Sequence, residues 1–116
     1  MENELLQQAL DLVMNPDPET GLVSLNQLYK IGNKLRILKG KNQLYLRDFV
    51  GSPTTKEFLT ALTEEVDATS PDNFIKVVHG SKGGTFVHPI VALEAMGKID
   101  SALRVVAYRE LFEVMF

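Results

Sequence analysis

Seven cations fall between residues 26 and 56: Lys30, Lys34, Arg36, Lys39, Lys41, Arg47 and Lys56, with Asp48 as the one acid among them. Gathered on one face, such side chains neutralise phosphates and release counterions, so the chemistry on offer is salt-dependent polyanion binding. Lys82 adds a cation on the glycine-rich stretch Gly80-Ser81-Lys82-Gly83-Gly84, which can lie against a phosphate backbone. Base reading needs donors on an element that enters a groove. Asn26, Gln27 and Asn33 offer them on one candidate helix, and Thr55, Lys56 and Thr60 on another. Tyr29 and Tyr45 read as half-buried packing residues rather than stacking platforms.

Reactive chemistry finds less support. A phosphate-binding loop needs a strand before it, a helix after it and a Gly-Lys-Ser/Thr ending. The Gly80–Gly84 glycines instead join two strand-like runs. His79 ends a run and has no partner spacing, and His88 precedes Pro89 as a helix cap rather than a metal ligand. Glu64, Glu65 and Asp67 cluster at a helix end with nothing to suggest acid–base work. The expectation is no catalytic residue, no metal ligand and no cofactor.

The elements that must position the cations follow from pattern. A chain of 116 residues that is 45% hydrophobic suits a single domain. Zero Cys excludes disulfides and thiolate metal sites. No apolar run of about 18 residues is present, so no membrane span is expected. The acidic start Met1-Glu2-Asn3-Glu4 is unlike a secretory signal, and the chain reads as soluble and cytoplasmic. Net charge is −3, an average that hides an asymmetry. Residues 1–25 hold five acids and no base, 26–56 carry +6 (seven bases, one acid), and 57–75 hold five acids and no base.

Leu5, Leu6, Ala9, Leu10 and Val13 recur at helical spacing until Asn15-Pro16 stops them. Ser24 suits the N-cap of a helix ending near Gly32-Asn33, with Leu35–Leu38 a short extended piece before a basic turn. Leu44–Val50 reads as a short helix, broken by Gly51-Ser52-Pro53. Thr54 to Glu57 fits a capping box opening an apolar stripe through Phe58, Leu59, Leu62 and Val66. This pair resembles a helix-turn-helix layout. Ser70–Asn73 reads as a loop, Phe74–His79 and Thr85–Val87 as a hairpin, Pro89 as the first residue of a helix, and Asp100 as the cap of the last helix.

The string Gly83-Gly84-Thr85-Phe86-Val87-His88-Pro89-Ile90-Val91-Ala92-Leu93 resembles the KilA-N domain of phages and large DNA viruses, which is related to the fungal APSES DNA-binding domain. Looser matches are Gly21–Leu28, Leu44–Val50 and Thr55–Leu62. Phe86 stands where the family has Trp, and Ala95–Lys98 lacks a second family Trp. The resemblance implies an α+β fold with a helix pair, a β-hairpin wing and a C-terminal helical pair over residues 20–116. Residues 1–19 then form an N-terminal extension. It further implies a phage source and non-catalytic binding of duplex DNA. Charge and position, rather than the resemblance, name the expected contacts: Lys30, Lys34, Arg36, Lys39, Lys41, Arg47, Thr55, Lys56 and Lys82. The alternative is a phage-encoded inhibitor of a host protein complex, such as an anti-CRISPR protein, that has lost DNA binding. A third reading is a homodimer paired through Leu5, Leu6, Leu10 and Val13.

Overall fold

A computed structural model describes residues 1–66 and 71–113. Its elements run α1 (Glu2–Met14), β1 (Val23–Ser24), α2 (Leu25–Leu38), α3 (Leu46–Gly51), α4 (Pro53–Glu65), a 3-10 turn (Pro71–Asn73), β2 (Ile75–Val78), β3 (Gly84–Val87), α5 (Pro89–Ile99) and α6 (Ser101–Leu111). Asp67 and Ser70 lie outside the described residues. The three strands form an antiparallel sheet in the order β1-β3-β2, with Val23 and Ile75 both opposite Val87. The fold is therefore α+β. Among the described residues, no helix is long and apolar enough to cross a membrane.

Helix α1 is part of the core rather than an extension. Leu5, Ala9, Leu10 and Val13 are buried, and α1 packs on α2, α5 and α6. The segment expected as an extension, residues 1–19, thus contributes its helix to the shared core. Of the stripe expected to pair two chains, Leu5, Leu10 and Val13 are buried within one chain and Leu6 is partly buried.

Helix α2 starts as its sequence demands: Ser24 Oγ accepts from Gln27 N at 3.2 Å. It does not stop at Gly32. A Cβ placed there would lie 2.6 Å from Ile99 Cγ2, so glycine allows α2 to close on α5. Glycine in a helix interior costs about 1 kcal/mol, an amount this close packing offsets. The helix ends instead at Leu38, and Gly40 just beyond the cap has φ +74°. Gly40 N donates to Ile37 O (3.0 Å) and Lys41 N to Arg36 O (2.8 Å), the paired bonds of a Schellman motif. Leu35–Leu38 is thus helical, not extended. In α4 the cap is Ser52, with Pro53 at the first position, and no capping box forms at Thr54. Thr54 Oγ1 instead shares a 2.8 Å hydrogen bond with Ser52 Oγ.

The corner between α5 and α6 draws three of the seven cations into the fold. The Asp100 side chain is 2% exposed and caps α6 by accepting from Ala102 N at 2.8 Å. Lys39 Nζ reaches Asp100 Oδ1 at 3.0 Å, and Lys41 Nζ reaches Oδ2 at 3.4 Å. Lys39 also pairs with Glu2 of α1 at 3.4 Å. Arg36 donates to Ile99 O (2.7 Å) and Asn42 O (2.6 Å). Burial pushes the Asp100 carboxyl up, but the Ala102 amide and the two lysines outweigh it and hold it below the usual carboxylate range. The hydrogen bond to Asp100 chiefly raises Lys39.

Asp100→Ala removes a buried charge and a cap together and is expected to cost about 3 kcal/mol in thermal or denaturant unfolding. Asp100→Asn, which keeps the cap, is expected to cost about half that. A depressed folded pKa stabilises above the unfolded value, about 3.9, and the gain is lost as pH falls. Wild-type stability should therefore drop on acidification below about pH 4, and Asp100→Asn should flatten that limb.

Candidate nucleic-acid interface

Asn26, Lys30 and Lys34 follow one another at four-residue steps and so share one face of α2. All three are exposed. They line one side of a shallow groove of about 370 Å³, with Gln43, Leu44 and Tyr45 across from them. Among the described residues, Lys30 and Lys34 have no carboxylate within 4.0 Å. Their charge is free for an external anion.

The far wall is held by Asn33. Its Nδ2 donates to Leu44 O (2.8 Å) and its Oδ1 accepts from Leu44 N (2.9 Å). Both ends of the amide are satisfied by one residue, which fixes the register of the segment against α2. Asn33 is therefore a buried clamp, not the base-reading donor expected of it. The segment carries Tyr45, which is 54% exposed. The Arg47 guanidinium lies over its ring, 5.3 Å from the centroid. Arg47 also stands 3.9 Å from Asp48, but both groups are highly exposed, so that pair is weak.

A hairpin closes one end of the stripe. Asn26 Oδ1 accepts from Thr85 N at 2.7 Å, tying the first turn of α2 to β3. The turn leading into β3 carries exposed Lys82. Its neighbour Gly83 admits no side chain, because a Cβ would collide with the Val78 carbonyl oxygen.

The nine expected contact residues thus separate. Lys30 and Lys34 sit together in the groove, Arg47 flanks it beside Tyr45, and Lys82 lies on the hairpin joined to its Asn26 end. Arg36 and Lys39 are engaged by internal partners, and Lys41 pairs with Asp100 while its side chain stays half exposed. Thr55 is 1% exposed and cannot meet a duplex, a correction that follows from the start of α4 at Pro53. Lys56 is exposed on α4, and among the described residues no side-chain hydrogen bond or ion pair ties it to the groove. Gln27 faces elsewhere, lining a concavity of about 380 Å³ beside Lys76, Val78 and Phe86. His88 acts as a cap, its Nδ1 accepting from Ile90 N at 3.1 Å. Tyr29 is buried at the groove floor, and burial, followed by the Asp48 charge, pushes its phenol up to about 12.

Reading α2 as one continuous helix would have revealed the Asn26–Lys30–Lys34 stripe from spacing alone. The Tyr45–Arg47 stack has no such signal, since it depends on the Asn33 clamp. Comparison with protein-family models, curated proteins and solved structures finds no match to this chain. Asn26→Ala should free the Thr85 amide, speed its hydrogen exchange and lower stability by about 1 kcal/mol.

Proposed function

We propose that this chain is a KilA-N-like, non-catalytic DNA-binding regulatory protein of phage type, acting in the host cytoplasm. In this reading, duplex DNA lies against the α2 groove with the Gly80–Gly84 hairpin serving as a wing. The observation that carries it is the pair of unneutralised lysines, Lys30 and Lys34, set in a groove with Arg47 on its flank and the Lys82 hairpin at its end. A net charge of −3 does not oppose this, because phosphate contacts respond to local charge. Antirepressor or transcription-regulating roles fit such a module.

One observation favours the second reading, a phage-encoded inhibitor of a host complex. Val105, Tyr108 and Phe112 form an exposed apolar row on and just past α6, the kind of patch that binds protein.

The test is duplex affinity across a salt series. Four phosphate contacts (Lys30, Lys34, Arg47, Lys82) predict a slope of log K on log salt of about −3 to −4. Lys30→Glu with Lys34→Glu should weaken binding at every sequence and reduce the slope by about 2. Lys39→Glu with Lys41→Glu should act on folding instead, since it places two carboxylates beside Asp100. No duplex binding at low salt would reject the DNA reading and favour the inhibitor.

A further inference from the structure

Tyr29 and Tyr45 wall the lysine groove on one side and a second recess, of about 200 Å³, on the other. Asp48, Phe49, Thr55 and Lys98 also line the recess, as do Ser52 and Thr54, whose hydroxyls bond each other. This volume lies below the range of drug-sized sites and suits one small planar group. Three independent features mark it. The Thr55 hydroxyl is buried without a hydrogen-bond partner, although buried polar groups are almost always paired. The 13-residue helix α4 begins here with Pro53, which has no N–H, and with no side-chain cap, so the Thr54 and Thr55 amides are unclaimed by a side chain. The walls are aromatic, and Tyr45 is the exposed one.

The lining sets the chemistry. Asp48 accepts hydrogen bonds and repels anions, which counts against a phosphate. Lys98, the Thr55 hydroxyl and the opening amides of α4 can donate. A group that fits is flat and uncharged, and carries an amino donor next to ring acceptors. We infer that this recess binds a nucleobase bearing an exocyclic amino group. The inference rests on the proposed DNA reading only for the source of the base: a strand lying in the groove, or a free nucleoside. An extruded or single-stranded base would stack on Tyr45, as bases do on aromatic platforms.

The test is an amide chemical-shift titration of the full chain. Cytidine and adenosine are compared with thymidine, which lacks the amino group, and oligo-dC is compared with oligo-dT. Saturable shifts at residues 45–49 and 54–56 with the amino-bearing ligands are expected. Shifts with free nucleosides identify a free ligand, and shifts with oligonucleotides alone identify a strand as the source. Thr55→Val should weaken binding about tenfold, the worth of one hydrogen bond, and Thr55→Ser should restore it. Should Thr55→Val not fold, Tyr45→Ala, an exposed position, is expected to weaken binding at least as much. Equal response to thymidine, unchanged affinity in these variants, or no response to either ligand class overturns the inference. Duplex binding without any response at the recess overturns the inference and leaves the DNA reading standing. Recess binding without duplex affinity does the reverse.

Discussion

A single buried carboxylate organises this molecule. Asp100 sits at the corner between α5 and α6, almost wholly out of water, and an uncompensated charge there would be untenable. Compensation comes from the Ala102 amide and from two lysines beyond the end of α2, Lys39 and Lys41. Lys39 in turn holds Glu2 at the start of α1. Arg36 adds a bond to the adjoining Ile99 carbonyl. The first helix, the end of the second and the last corner are thus joined through one group.

That constraint divides the basic segment. The cations at and just past the far end of α2 bond to Asp100 and Ile99, while Lys30 and Lys34, nearer its start, remain for solvent or a ligand. Because α2 runs unbroken from Leu25 to Leu38, it links the two roles in one rod. Gly32 permits the close approach to Ile99 that seats the rod, and Asn33 beside it clamps the segment bearing Tyr45. The groove is consequently built on a helix and a pinned backbone, which suits it to hold a fixed geometry for recognition.

Much of the scaffold was legible. The stop at Asn15-Pro16, the Ser24 cap, the hairpin, the Pro89 helix start and the Asp100 cap each depend on residues a few positions apart, and all form. Where the reading missed, either a distant neighbour or a competing adjacent residue decided. Gly32 looks like a stop because its backbone freedom is visible locally and Ile99, 67 residues away by number, is not. Thr54 looks like a cap because the capping-box spacing is present, yet Pro53 already fits the first helical position with Ser52 before it. The leading helix looks separable because its apolar stripe shows no partner in sequence.

What the linear chain determined by itself was the type and rough extent of its elements, and a local excess of positive charge. Those properties arise from backbone preference and from apolar spacing over a few turns, which adjacent residues settle among themselves. Only the tertiary structure decided which of those charges stay free. Ion pairing is fixed by distances in space, and residue 100 comes to lie against residues 39 and 41 only when α2, α5 and α6 pack together.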